Sequence, residues 1–82
     1  MKARVYVTLK KSVFDPQGRT IQEALAGLGY SQVLDVRQGK FFELELQAAS
    51  AREARATAED VARRVLANPV IEAFRVEIEE QP

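Results

Sequence analysis

Arg4-Val5-Tyr6-Val7-Thr8-Leu9-Lys10 is the stretch whose reading decides the fold. Val5, Val7 and Leu9 alternate with Arg4, Tyr6, Thr8 and Lys10. That two-residue period is the mark of a strand with one face against a core and the other open. Next comes Asp15-Pro16-Gln17-Gly18. Asp15 can accept a hydrogen bond from an orphan amide at a helix start, and Pro16 suits the first helical position because its missing N–H costs nothing there. Ile21, Ala24, Leu25 and Leu28 follow at i, i+3, i+4 and i+7, one apolar stripe of a helix. Gly29 ends it, since glycine tolerates the left-handed conformation of a helix terminus.

Further along, Val33 to Arg37 and Phe41 to Gln47 read as a hairpin around Gln38-Gly39-Lys40. A three-residue loop there sets Val36 opposite Phe42 and Leu34 opposite Leu44, which gathers the apolar side chains on one face. Ser50-Ala51-Arg52-Glu53 is a capping box. The helix behind it has Ala54, Ala58, Val61, Ala62, Val65 and Leu66 as its buried stripe. Glu59 with Arg63 and Asp60 with Arg64 lie on its outer face, as i, i+4 pairs worth about 0.2–0.5 kcal/mol each. Asn68-Pro69 stops the helix. Phe74, Val76 and Ile78 alternate with Arg75 and Glu77 in a last strand, and the tail Glu79-Glu80-Gln81-Pro82 is expected to fray.

The order is therefore β-α-β-β-α-β in one domain, residues 1–82. Every strand has one apolar face and every helix one apolar stripe. The predicted class is α+β, a two-layer sandwich of ferredoxin-like type with an antiparallel sheet and both helices on one side. A chain of 82 residues buries only about 60–65% of its unfolded surface, so association with another chain would help it.

Composition narrows the chemistry. Cysteine and histidine are both absent, which removes thiolate nucleophiles, disulfides, the usual general base near neutral pH and the commonest metal ligand. Ser12, Ser31 and Ser50 have no histidine partner and no nucleophile elbow, and the four glycines form neither a Walker loop nor a G-x-G-x-x-G turn. No catalytic, cofactor-binding or metal-binding residue is assigned. Twelve basic and twelve acidic residues cancel, which argues against duplex nucleic acid or an anionic membrane as partner. The N-terminus has no apolar signal core and no 18-residue apolar run occurs, so a cytoplasmic protein is expected.

Two surfaces remain. Tyr6, Thr8, Phe41 and Glu43 project from the uncovered side of the sheet, and an aromatic patch ringed by charge is a candidate interface. Lys10, Lys11 and Asp15 in the first connector, with Arg37 and Lys40 at the hairpin tip, are candidate docking residues for acidic or polar groups of a partner.

At these residues the chain resembles the PurS family. The resemblance runs through Val5-Tyr6-Val7-Thr8-Leu9-Lys10 with Val13, Asp15, Pro16 and Gly18, then Ala24-Leu25-Ala26-Gly27-Leu28-Gly29. It continues in Val33-Leu34-Asp35-Val36-Arg37-Gln38-Gly39-Lys40 and Ala67-Asn68-Pro69-Val70-Ile71-Glu72. It implies a non-catalytic small subunit of phosphoribosylformylglycinamidine synthase in purine biosynthesis. Such a subunit bridges a glutaminase subunit and a synthetase subunit and assists ammonia transfer. No cofactor sits in the small subunit, because ATP and magnesium belong to the synthetase. The resemblance also implies a homodimer or higher homo-oligomer formed through the sheets.

Two other readings fit the element order. An RNA-recognition module shares it and carries aromatics on the open sheet, but zero net charge, Glu43 and Glu45 on that face and the missing RNP1 pattern count against it. A regulatory domain of the ACT type is the other, though such domains are normally fused to an enzyme.

Overall fold

The computed structural model describes residues 1–80 of the chain. Strand β1 (Lys2–Leu9) lies between β2 (Gly39–Glu45) and β3 (Glu72–Glu79), and both neighbours run antiparallel to it, giving the order β2-β1-β3. Val5 faces Phe42 on one side and Val76 on the other, and Tyr6 faces Phe41 and Arg75. Because side chains alternate between faces, this register gathers Ala3, Val5 and Val7 with Phe42, Leu44, Phe74, Val76 and Ile78 on the inner face. The α+β order and antiparallel sheet expected from the sequence are present. Of the tail expected to fray, Glu79 instead closes β3, and Gln81 and Pro82 lie outside the described residues.

Helix α2 (Ala51–Val61) begins as a capping box. Ser50 Oγ accepts from the Glu53 amide at 3.2 Å, and Glu53 Oε2 accepts in return from the Ala49 amide, one residue before the serine, at 3.1 Å. Ala54, Ala58 and Ala62 are fully buried on the helix face turned to the sheet. Methyl groups alone let the helix axis approach the strands closely. The outer pairs are re-dealt. Asp60 meets Arg64 at 3.7 Å and Arg63 at 3.9 Å, while Glu59 pairs with Arg55 at 3.8 Å instead of with Arg63.

Past Val61 the chain widens into a π turn, Ala62–Leu66, closed by the Ala67 amide donating to Ala62 O at 2.8 Å. A wider turn rotates each residue by less than an α-helix does, so the apolar stripe drifts off the core. Val65, expected in that stripe, is turned outward and 76% exposed, while Leu66 stays against the core.

The first half of the chain departs further from expectation. Helix α1 (Pro16–Gly27) forms where the caps place it, with Asp15 Oδ1 accepting from the Gly18 amide at 2.9 Å and Gly29 at φ +97° beyond its end. Val33–Arg37, however, forms no strand and no hairpin with β2. Its polar groups are drawn to α1 instead. Gln22 Nε2 donates to Leu34 O at 2.8 Å, the Gln38 amide donates to Asp15 Oδ2 at 2.8 Å, and Gln38 Nε2 donates to Gln17 Oε1 at 2.8 Å. The pairings of Val36 with Phe42 and Leu34 with Leu44 are thus absent. Residues 34–38 run beside α1, and together they make an arm that barely touches the sheet. The molecule is a thin slab of 50 × 31 × 14 Å.

Candidate functional site

The open face of the sheet is a grid three strands wide. Tyr6 stands at its centre, with the Phe41 ring on one side at 5.1 Å between centroids and the Arg75 guanidinium on the other, 4.2 Å from the centre of the tyrosine ring. The register that makes Phe41 and Arg75 direct neighbours of Tyr6 produces this row, which combines aromatic and cation–π contact. The Tyr6 hydroxyl donates to Glu77 Oε1 at 3.0 Å. That bond stabilises the protonated phenol and raises its pKa, whereas Arg75, followed by the same hydroxyl, holds the Glu77 carboxyl below its ordinary value.

Thr8 lies exposed two residues beyond Tyr6 on β1, and Glu43 sits two residues beyond Phe41 on β2, paired with Lys2 at 3.3 Å. The structure therefore brings Tyr6, Thr8, Phe41 and Glu43 onto one surface. Arg75, Glu77 and Glu79 share it, with Arg4 meeting Glu79 at 2.7 Å. The contribution of β3 was missed in the sequence. Its parity was readable there, but the pairing that sets Arg75 beside Tyr6 is a matter of register.

The docking residues divide. Asp15 is only 5% exposed, and both its oxygens are occupied, by the amides of Gly18 and Gln38. It is a corner post of the arm, and it presents no free carboxylate to a partner. The two amides hold its pKa below the ordinary carboxylate value. One Arg37 nitrogen, Nη2, donates to the carbonyls of Lys10 at 3.0 Å, Val13 at 3.1 Å and Leu9 at 3.4 Å, which ties the outgoing connector to the returning one. Lys40 lies 3.3 Å from Glu72 Oε2, and Glu72 also accepts from the Asn68 amide at 2.7 Å, the main reason its pKa is lowered. Lys10 and Lys11 are exposed and form no ion pair among the described residues.

A lowered carboxyl pKa has a defined consequence in acid. The stability that Asp15 contributes is fully present above its unfolded pKa of about 3.9 and is lost as the pH falls through the lower folded value. Protection of the Gly18 and Gln38 amides, taken relative to the intrinsic exchange rate at each pH, is expected to be high at neutral pH and to fade below about pH 4. Protection at Gln38 that is equally strong in Asp15→Ala would show that the carboxylate is not what holds it.

A cleft of about 220 Å³ opens between the arm and the end of β1, with Val7, Leu9, Asp15 and Glu72 in its wall. Both carboxylates there are already hydrogen-bonded, so the cleft offers no free acid–base pair. No cluster of three or more metal-ligating side chains occurs among the described residues, and none of their helices is long and apolar enough to cross a membrane. What the molecule offers is surface.

The family model for PurS, phosphoribosylformylglycinamidine (FGAM) synthase, matches residues 2–80. The chain belongs to the PurS family. The Bacillus subtilis phosphoribosylformylglycinamidine synthase subunit PurS is 46% identical over 79 residues, covering 96% of this chain and 93% of the relative. The crystal structure of Methanocaldococcus jannaschii PurS, one of the subunits of formylglycinamide ribonucleotide amidotransferase, superposes with a TM-score of 0.88 at 34% identity. It covers 99% of this chain and 98% of that one. A chain of the Thermotoga maritima PurLQS structure gives 0.85 at 30% identity, with 93% of each chain covered. The fold of these two structures thus matches that of this chain over nearly its whole length.

Proposed function

We propose that this chain is the small, non-catalytic subunit of phosphoribosylformylglycinamidine synthase and bridges its glutaminase and synthetase subunits. The complex converts formylglycinamide ribonucleotide, ATP and glutamine into formylglycinamidine ribonucleotide during purine biosynthesis. The observation that carries the assignment is the family match over residues 2–80. The resemblance to a chain of the multi-subunit PurLQS structure supports the bridging role. A polypeptide without thiol or imidazole, whose buried carboxylate is taken up by its own backbone, suits a role in assembly.

In this reading the chain holds no cofactor of its own, ATP and magnesium reside on the synthetase subunit, and the complex works in the cytoplasm. The chain self-associates, with Tyr6, Thr8, Phe41 and Glu43 as one candidate contact. Lys10 and Lys11 stand exposed at the root of the arm, where they present ammonium groups to the larger subunits, while Arg37 and Lys40 beside them are engaged by the chain's own carbonyls and by Glu72. An RNA ligand is disfavoured, because Glu43, Glu45, Glu77 and Glu79 stand on the face it would need.

Co-expression with the two candidate partner subunits tests the assignment. A tagged copy is expected to retain both, and glutamine-dependent product formation is expected to require it. Full glutamine-dependent activity in a preparation lacking this chain would refute the bridging role.

A further inference from the structure

The hydrogen bonds at the ends of the sheet settle which backbone groups of its edge strands are left over. The Met1 amine donates to Leu46 O at 2.8 Å and the Leu46 amide donates to Met1 O at 2.7 Å, so these two residues form a bonded pair. Bonded and non-bonded pairs alternate along an antiparallel ladder. Ala3, Val5 and Val7 of β1 therefore bond to β2, whereas Lys2, Arg4, Tyr6 and Thr8 bond to β3. The Lys10 amide, donating to Ile71 O at 2.8 Å, continues that second series. On β3 the amides and carbonyls of Phe74, Val76 and Ile78 thus point away from the sheet, and on β2 those of Phe41, Glu43 and Glu45 do.

β3 is a hazardous strand to leave open. Its eight residues pair with β1 in unbroken register, include no proline, and set Phe74, Val76 and Ile78 between charged neighbours. Such an edge is a template for any extended chain that meets it. Its middle position, however, is taken. Arg55 of α2 donates from Nη1 to Val76 O at 3.1 Å, and Glu59, one turn further along the helix, lies 3.8 Å from the same nitrogen. An ionised donor bonds a carbonyl more strongly than a neutral amide does. A strand arriving at Val76 would have to displace that guanidinium and put a weaker donor in its place.

We propose that Arg55 closes the β3 edge of the sheet against strand addition, and so keeps the protein from joining edge to edge into fibres. Head-to-tail joining, β2 of one molecule on β3 of the next, extends without limit only while both edges are open. With the carbonyl of Val76 occupied, one of the two is shut and the chain of contacts stops. Arg55 acts from the helix layer, so the strand keeps its regular pairing with β1 and needs no bulge or proline of its own.

Hydrogen exchange on the unaltered full chain is the first test. The amides of Phe74, Val76 and Ile78 are expected to exchange at least about tenfold faster than those of Arg75 and Glu77, which bond to β1. Equal protection along β3 would mean that its edge is already paired, and would overturn the proposal. The second test follows thioflavin T fluorescence in agitated solutions at neutral pH. Arg55→Met keeps the alkyl stem and loses the donor, and it is expected to form fibres about tenfold sooner than the unaltered chain. Arg63→Met makes the same change of charge at another exposed position, and Arg55→Lys retains an ionised donor. Both are expected to behave like the unaltered chain. In the Arg55→Met fibres the amides of Phe74, Val76 and Ile78 are expected to become protected. Val5→Ala, which loosens the core and leaves the edge alone, separates a lost guard from a lost fold. If Val5→Ala or Arg63→Met forms fibres as fast as Arg55→Met, or if those three amides stay unprotected in the fibres, Arg55 does not guard this edge.

Discussion

Ala58→Leu is expected to cost about 1–3 kcal/mol of stability, a fall of roughly 5–20 °C in melting midpoint for a domain of this size. Ala58 is fully buried, in an alanine face that runs from Ala54 and Ala58 of α2 to Ala62 at the start of the π turn, against β1, where Val5 and Val7 are also fully buried. Three added carbons have no void to enter, so the helix must lift or the strands must give. Lifting α2 also opens the space between it and Val76, another core residue. Ala56→Leu is the matching control, because the same side chain is added to the same helix at an exposed position. Its effect is expected to stay within about 0.5 kcal/mol. Urea unfolding of the two variants measures the difference, and equal midpoints would mean that the helix does not sit this close to the sheet.

Gly18→Ala is expected to release the arm. A β-carbon at Gly18 would overlap the Val36 carbonyl oxygen and meet Asp15 Oδ2 at 2.8 Å. Val36 belongs to the connector lying beside α1, and backbone cannot retreat as a flexible side-chain tip can. The bond from Gln38 to Asp15 should break with it, for a loss of about 1–3 kcal/mol. Hydrogen exchange should localise that loss to residues 16–38. Gly27→Ala supplies the contrast. Nothing lies within 4 Å of its added carbon, and alanine in place of glycine near a helix end stabilises by up to about 1 kcal/mol. If Gly18→Ala leaves exchange at Gln38 unchanged, Val36 does not press against the start of α1.

Much of this architecture could be read before any coordinates. Alternation placed β1 and β3, and cap residues placed the starts of both helices, because such signals are local and depend on neighbours in the chain. What failed were choices made between distant segments. Val33–Arg37 alternates like a strand, but its hydrogen-bonding groups and those of Gln38 found Asp15, Gln17 and Gln22 before they found β2. Val65 follows the helical period of its predecessors, and nothing in Ala62-Arg63-Arg64-Val65-Leu66 announces a turn one residue wider. The candidate surfaces fared similarly. Tyr6, Thr8, Phe41 and Glu43 fell on one face because parity alone decides that. Asp15 and Arg37 looked like outward charges, yet they bind backbone groups more than 20 residues away in sequence.

The chequered charge of the outer sheet also governs how fast anything can find it. Lys2, Arg4 and Arg75 are each neutralised by Glu43, Glu79 and Glu77. Such alternating signs cancel within a few ångströms and cast no potential beyond the Debye length, about 8 Å in physiological salt. A protein arriving at this side receives no long-range guidance. Its capture rate is governed by shape and collision frequency, and dissolved ions have little to screen.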